Sequence, residues 1–459
     1  MLKRFFAACL VSVVSFAGPA RAQSSEEVQR VLDRLEKLEA ESSRIQDEIQ
    51  KLRSELVATG HPSTAQPTPG QPATAAAPAG PQANERLDVQ ESRTAELEQS
   101  KVGTSQRFPV SLTGMLLFNA YTNGHYAGAS EYPATASQTR SPVSDGASLR
   151  QTVLGLKFNG PDLPGGGKAS GSLFMDFFAG SSSPSNNLLR IRIATLDLAW
   201  KNTTVSVGQD KPIISPREPV SLAQVGISPL TGAGNLWDWN PQVRVEQRFA
   251  LGENSGLRAQ AGVYETTENY PGNLPPDYSG TLERSRPGFE GRFEFFHKGK
   301  DWRIEAAPGF HEGSTHVAGS SLQSQIFSFD WLVRPTSRIE FTGELFRGQS
   351  VAGLGALPGF TVSSAGIARP IHTDGEWAQL ALFPESRLSF HIYSGEQANR
   401  VSDVPANGVI RNFIYAGNLI FKFAPNVLAA LEASQARTDY LGSGLRLNNH
   451  YDLALAYLF

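Results

Sequence analysis

The sequence predicts an all-β protein: a transmembrane antiparallel β-barrel of about 16 strands, preceded by an N-terminal α-helical coiled coil. Three observations predict it. The final residues alternate as a strand with one apolar face, the first residues have the pattern of an export signal, and apolar residues recur with a period of two from Phe108 onward. A mean hydropathy of −0.26, with no apolar run of about 18 residues after the first segment, excludes a helical membrane protein.

The C-terminal strand is the most informative element. Its alternate positions fall on one face of an extended strand, and the sequence stops on an aromatic residue. The last strand of an outer-membrane barrel closes the sheet and turns an apolar face to lipid. We therefore expect an outer-membrane barrel, with a C-terminal signal for the barrel-assembly machinery formed by Tyr451, Leu453, Leu455, Tyr457 and Phe459.

Residues 1–22 have the features of a secretory signal peptide. A basic start at Lys3 is followed by an apolar run over 5–16 and by a small-x-small cleavage site that ends at Ala22. A retained anchor helix is the less favoured alternative, because the apolar run is too short to span a bilayer. The only cysteine, Cys9, lies inside this segment, so the mature chain has no cysteine for disulfides or metal sites.

Residues 23–58 carry a heptad pattern that predicts a periplasmic coiled coil. Mixed β-branched and leucine residues at both core positions favour a parallel trimer over a dimer, and an amphipathic helix packed on its own barrel is the alternative. Residues 59–105 read as a Pro/Ala-rich linker with a short helical segment. The core positions are Val28, Leu35, Ser42, Ile49 and Leu56 at a, with Val31, Leu38, Ile45 and Leu52 at d.

Residues 106–459 are predicted to form the barrel. A soluble β-sandwich would show the same alternation, but the export signal and the terminal strand favour the membrane. Strands are expected near 109–123, 148–159, 167–179, 188–201, 203–213, 241–250, 256–267, 288–298, 301–312, 325–334, 338–348, 375–384, 387–396, 408–424, 426–438 and 445–459.

The connections between these strands are expected to alternate in length. Short ones such as 299–300 and 335–337 would be periplasmic turns, and long ones, including 124–147, 214–240 and 349–374, would be external. With the N-terminus in the periplasm and an even number of strands, all short turns fall on the periplasmic side and all long loops outside, as in a bacterial porin.

The third long loop, 214–240, is less polar than a solvated loop should be, so we expect it to fold into the barrel and narrow the channel. It contains Trp237, Asp238 and Trp239, which we take as constriction candidates. The alternative is an outer loop packed at a trimer interface.

Six basic residues near this loop are candidates for an anion-selective constriction. Rings of basic side chains favour anions, and guanidinium groups bind carboxylates through two hydrogen bonds. The alternative is that Asp210, Glu218 and Glu246 neutralise them and leave a transverse field. The six basic candidates are Arg190, Arg192, Lys211, Arg217, Arg244 and Arg248.

Three short segments resemble the DcaP-like trimeric outer-membrane porins: 189–194, Val207-Gly208-Gln209 and 241–244. The resemblance covers the architecture from about residue 24 to the end. It implies a homotrimer with a periplasmic coiled coil and uptake of small anionic solutes, dicarboxylates in particular. The chain departs from the family pattern at 210–212, Asp-Lys-Pro, where members tend to carry aromatic and hydroxyl residues.

Other functions find little support in the sequence. His311 and His316 are spaced one residue too far apart for a helical zinc-protease motif, and no other pattern indicates a catalytic residue, a metal site or a cofactor. A net charge of −3 gives no argument for nucleic acid. Three classes stay open: an anion-preferring porin, a general or sugar-type porin, and an envelope-spacing structural protein.

Overall fold

The structure, a computed structural model, describes residues 110–180, 187–265, 283–284, 287–317, 320–363 and 367–459 of the chain. All of them belong to one compact unit. The predicted signal peptide, coiled coil, linker and short helical segment lie outside the described residues. They stay predictions.

The described residues form strands joined by loops and three short 3-10 helices, Pro164–Gly166, Ala352–Leu354 and Val401–Asp403. No helix among them is long and apolar enough to cross a membrane. The strands are β1 Val110–Asn123, β2 Ser144–Ser148, β3 Val153–Leu163, β4 Gly167–Ala179, β5 Leu188–Ala199, β6 Thr203–Asp210, β7 Asn240–Ala250, β8 Ser255–Tyr264, β9 Glu283–Arg284, β10 Gly288–Lys298, β11 Arg303–Val317, β12 Ser320–Thr336, β13 Ile339–Gln349, β14 Phe360–Val362, β15 Ala368–Pro370, β16 His372–Glu385, β17 Leu388–Asn399, β18 Val409–Ala424, β19 Val427–Tyr440 and β20 Gly444–Leu458.

The long strands form one closed antiparallel barrel of 16 strands, so the predicted strand number is confirmed. Each long strand pairs with its sequence neighbour, and β1 pairs with β20 from Met115↔Leu458 to Asn123↔His450. Closure removes the unpaired sheet edges that would otherwise expose backbone hydrogen-bonding groups. The short strands β2 and β9 pair antiparallel with β1 and β11, and β14 pairs with β15 in a separate hairpin.

The predicted alternation of long and short connections is wrong at two hairpins. Only residues 318–319 separate β11 from β12, and only 441–443 separate β19 from β20, although both connections lie at the long-loop end. In the first case the strands run further than predicted, with pairing continuing to Val317↔Ser320. Polar residues there continue the ladder beyond the apolar band, which alternation of apolar residues alone does not reveal.

The two faces of the barrel have opposite polarity. In β20 the residues Tyr451 and Leu455 are 55 % and 46 % exposed on the outside, whereas the alternating His450 and Asp452 are 2 % and 5 % exposed. The same holds in β10, where Phe293 is exposed and Glu294 is buried. An apolar exterior around a polar interior is the arrangement expected of a barrel that sits in lipid.

A conformational constraint fixes the junction of β5 and β6. Gly208 has a φ of 144°, and a methyl group there would overlap the carbonyl oxygen of Ala194 on the paired strand. Glycine meets both requirements because it lacks Cβ. Beside this junction the register between β4 and β5 slips, since Phe174 pairs with Ile193 and Met175 with Ile191, which leaves Arg192 as a bulge. Because of this bulge, the apolar residues of β5 do not alternate strictly along the whole strand.

Candidate functional site

Loop 211–239, between β6 and β7, lies inside the barrel. Ile214, Leu230 and Leu236 are at most 1 % exposed, and they pack on inward-facing residues of the wall such as Phe346 and Trp377. The low polarity of the loop is explained by this packing, because an apolar segment gains stability only where it is removed from water. The sequence-based expectation of an inserted third loop agrees with this position.

Inward-facing polar side chains of the wall hydrogen-bond to the loop backbone. The Gln151 side chain accepts from the amides of Val225 and Gly226 and donates to the Ala223 carbonyl, all at 2.7 Å. Farther along the wall, on β18, Asn418 donates to the Val220 carbonyl at 2.7 Å. A loop inside a barrel has no ladder partner, so these side chains satisfy backbone groups that would otherwise be buried unpaired.

Arg190 and Arg192, on β5, both point into the lumen. Arg190 Nη2 lies 2.7 Å and Arg192 Nη1 3.3 Å from the same carboxylate, that of Asp176 on β4. The two guanidiniums also donate to the carbonyls of Gly226 and Val225 in the inserted loop. The bulge at Arg192 lets both arginines reach one acid, which strict alternation along two paired strands would make harder.

Asp176 was not among the site residues predicted from the sequence. Its signal was present, however, because it is the single charged residue in the otherwise apolar run 173–178. Asp176 is fully buried behind the two arginines. A buried carboxylate held by two guanidiniums fixes their positions and leaves one positive charge in excess.

Trp239 lies against the same two arginines. Their guanidinium carbons are 5.1 Å (Arg190) and 4.7 Å (Arg192) from its ring centroid, within cation–π range. Trp237 contacts Trp239 edge-on at 4.9 Å and is itself buried, with its amide donating to the Leu354 carbonyl at 2.9 Å. Trp239 therefore braces the arginines, while Trp237 holds the loop to the wall.

Asp238 lies between the two tryptophans. Burial raises the pKa of its carboxyl above the ordinary value, and the hydrogen bond from the Trp239 amide and the charge of Arg190 offset this only in part. A raised pKa weakens the tendency of Asp238 to be ionised beside the arginines.

Lys211 and Arg244 lie at the start of the inserted loop and on β7. Lys211 Nζ is 2.7 Å from Glu218, and Arg244 Nη2 is 2.6 Å from Asp210. Glu218 and Asp210, two of the acids that could neutralise the basic candidates, are thus paired with them. The two side chains of each pair differ in their exposure to solvent.

Glu218 is held in its charged form. Burial by itself would raise the pKa of this carboxyl, but Lys211, the Ser228 hydroxyl and Arg192 together outweigh burial and lower that pKa. Because the pKa in the folded protein lies below the unfolded value, the interaction stabilises the folded loop above about pH 4.3. This stabilisation is lost as the pH falls through the lowered pKa.

We expect Glu218→Gln to loosen the start of the loop at neutral pH, because Lys211 loses its charge partner. Single-channel recordings at pH 7 should show more frequent conductance steps in the variant, whereas the wild type should show them only at a pH below the ordinary pKa of a glutamate. Glu253→Gln, which removes an exposed acid from the 251–254 turn, is the control and should behave as wild type. Quiet recordings from Glu218→Gln at pH 7 would contradict the assignment.

Arg217 is brought to a different part of the wall. It contacts three carboxylates that are 1–2 % exposed, Glu294, Glu305 and Asp330 on β10, β11 and β12. Asp330 is shared with Arg292, at 2.7 Å from its Nε. This cluster anchors the inserted loop to the wall opposite β1 by charge-assisted hydrogen bonds. The alternating acids of these strands were visible in the sequence, but nothing there linked them to Arg217.

Arg248 does not join the other candidates. It lies at the short-turn end of β7, where its amide donates to the Asn202 carbonyl at 2.8 Å, whereas Arg190 lies near the long-loop end of β5. Its side chain is 58 % exposed and contacts Glu246 at 2.7 Å. Alternation placed Arg248 on the correct face, but face alone does not give the depth in the barrel.

Exposure separates the two members of most ion pairs in the lumen. Three examples have a partly exposed basic side chain and a buried carboxylate: Arg190 at 29 % with Asp176 at 0 %, Arg258 at 26 % with Glu294 at 1 %, and Arg303 at 15 % with Glu305 at 2 %. The pair of Lys211 with Glu218 is the reverse, at 21 % and 34 %. Side chains that are exposed on the inner face of a closed barrel border space that water can enter.

Comparison with solved structures identifies the architecture. The outer membrane channel DcaP of Acinetobacter baumannii matches with a TM-score of 0.62 at 16 % identity, over 76 % of this chain and 97 % of that one. The barrel has the fold of the DcaP channel. The resemblance read from the sequence is confirmed at the level of the fold.

Two further solved structures share the fold. An anion-selective porin from Comamonas acidovorans has a TM-score of 0.53 at 13 % identity, over 76 % of this chain and 99 % of that one. Salmonella typhi OmpF, solved in complex with daunomycin, has a TM-score of 0.51 at 9 % identity, over 76 % and 97 %. No protein-family model matches the chain, and no curated protein matches it at a significant level.

Proposed function

We propose that this protein is an outer-membrane porin of a diderm bacterium, through which small hydrophilic solutes diffuse passively. Support comes from the closed barrel with an apolar exterior, the polar side chains on its inner face and the loop folded inside. The solved structures of the same fold include an outer membrane channel and an anion-selective porin. A barrel of this strand number encloses an aqueous channel unless a loop or plug fills it.

The proposal includes a preference for small anions such as dicarboxylates. The observation that carries it is the sharing of Asp176 by Arg190 and Arg192: the acid is fully buried and the guanidiniums face the lumen. A permeating carboxylate would meet donor groups held in place by Asp176 and Trp239, and it would exchange its hydration for their hydrogen bonds.

Planar-bilayer recordings of the purified protein test both levels of the proposal. We expect stable channels, and reversal potentials in a KCl gradient that have the sign of chloride preference. Absence of channels would overturn the porin assignment, and a reversal potential of the opposite sign would overturn the anion preference alone. Liposome swelling with succinate-like anions against neutral sugars of similar size then tests the dicarboxylate preference.

A general diffusion porin is the second candidate, and one observation favours it. Lys211 and Glu218 form a pair in which the acid is the more exposed member, so a transverse field across the lumen is an alternative to net anion attraction. A reversal potential near zero, together with equal swelling rates for anions and sugars, would select this candidate.

The partners in the proposal follow from the outer surface and the termini. Outer-membrane lipid would contact the apolar exterior, and the barrel-assembly machinery would recognise the last strand, where Tyr451, Leu453, Leu455 and Tyr457 face outward. Phe459 closes the rim through a hydrogen bond from its amide to the Gly114 carbonyl at 3.1 Å. We further propose a homotrimer with the 23–58 coiled coil in the periplasm, which crosslinking of the full-length protein in membranes would test.

A further inference from the structure

Positive charges lie directly opposite one another at the short-turn end of the barrel. Arg248 on β7 pairs in register with Arg258 on β8. Lys298 on β10 pairs with Arg303 on β11, which in turn pairs with Arg334 on β12. Directly opposed like charges destabilise an antiparallel sheet, so the fold tolerates a cost in order to concentrate positive charge here.

Carboxylates neutralise only part of this charge. Arg248 has Glu246 at 2.7 Å, and Arg303 and Arg334 contact Glu305 and Glu340. Among the residues that the structure describes, neither Lys298 nor Lys300 forms an ion pair with a carboxylate. Both lysines are exposed. Their charges are therefore free to attract a solute.

A cavity lies where these side chains converge. It has a volume of about 570 Å³ and is bordered by the 251–254 and 299–302 turns. Its basic lining residues are Arg248, Lys298 and Lys300, its amide side chains are those of Asn202 and Asn254, and Glu253 is the one acidic residue of the lining, so two positive charges remain in excess. Cavities of roughly 300–1,000 Å³ hold small ligands, so this one has room for a small anion and its remaining waters.

We propose that this cavity is a second anion-binding site, which takes small polyanions with at least two phosphate or carboxylate charges. Three cationic groups, from the ends of β7 and β10 and from the turn after β10, can surround such an anion, and the asparagine amides can donate to its remaining oxygens. The site is separate from the constriction, because Arg248 lies at the opposite end of β7 from Asn240 and the inserted loop. It is a binding property and does not require that the constriction conduct anions.

The probe for the test is inorganic pyrophosphate, titrated calorimetrically into the full-length protein in a neutral detergent at low salt, where screening is weak. We expect saturable binding to the wild type. Lys298→Gln/Lys300→Gln should weaken the affinity at least about tenfold, because two of the three cationic groups are lost. Lys168→Gln/Arg387→Gln removes the same charge from exposed positions near two other short turns and should weaken it less than about twofold.

The outcomes are distinct from those for the channel. Arg190→Gln/Arg192→Gln should retain the component of pyrophosphate binding that Lys298→Gln/Lys300→Gln removes, whatever it does to the constriction and to ion preference. The site would be overturned if the wild type does not bind pyrophosphate. It would also be overturned if Lys298→Gln/Lys300→Gln and the control double variant weaken the affinity equally, which would indicate diffuse attraction by basic residues at this end of the barrel. A cation-preferring channel with intact pyrophosphate binding would overturn the proposed anion preference and leave this site standing.

Discussion

Replacing Arg190 and Arg192 together by glutamine should abolish most of the anion preference of the channel. Both guanidiniums face the lumen beside the inserted loop, and their shared acid, Asp176, would become an unopposed negative charge. The anion-to-cation permeability ratio should fall at least about fivefold, equivalent to roughly 1 kcal/mol. Reversal potentials in a KCl gradient, measured on single channels, give this ratio directly.

A matched control separates the local effect from a change in total charge. Arg347 and Arg411 are exposed, with side chains 80 % and 56 % accessible, and they lie on the outward face of β13 and β18. Arg347→Gln/Arg411→Gln also removes two guanidiniums, and we expect it to keep the wild-type ratio. If both double variants shift the ratio equally, or neither does, Arg190 and Arg192 do not determine selectivity.

Replacing Arg217 by methionine should release the inserted loop from the β10–β12 wall. The side chain of Arg217 contacts Glu294, Glu305 and Asp330, and its loss leaves part of that buried negative charge uncompensated. Removing one partner of a buried ion pair costs about 3–5 kcal/mol, of which Arg292 and Arg303 should recover a part. The backbone pairing of β10, β11 and β12 does not depend on Arg217, so we expect the loop to move while the barrel stays folded.

The expected readouts are a larger and noisier single-channel conductance and a shift of ion preference towards cations. The temperature at which the folded band is lost in heat-modifiability gels should fall by only a few degrees. Arg369→Met, at an exposed position of β15, is the control and should change none of these properties. A variant with wild-type conductance and noise would show that Arg217 does not hold the loop.

The strands were predictable because barrel residues have a simple periodic environment. Each side chain of β10 or β20 faces either the outside or the interior of the barrel. Polarity therefore alternates with every residue, and the period of two can be recognised in the sequence. Errors arose where that environment changes. The β11–β12 hairpin continues past the apolar band, and the bulge at Arg192 shifts the register of β5.

The candidate site was only partly predictable, for a geometric reason. Alternation places Arg190, Arg192, Arg244 and Arg248 on the inner face, but it carries no information on height or on which strands face each other across the lumen. Arg248 accordingly lies at the other end of the barrel from Arg190, and Arg217 joins acids more than 70 positions away in the chain. Asp176 escaped attention because its role exists only through two arginines on the next strand.

The sequence by itself determined the class of structure, the strand number, the face on which residues lie in the regular strands and the loop that enters the lumen. These follow from local periodicity and local polarity, which burial against lipid or water imposes residue by residue. Only the tertiary structure decided which charges pair, which member of each pair meets solvent, and where positive charges oppose one another at the short-turn mouth. Those properties depend on the register between strands and on closure of the barrel, which bring together residues that no local pattern connects.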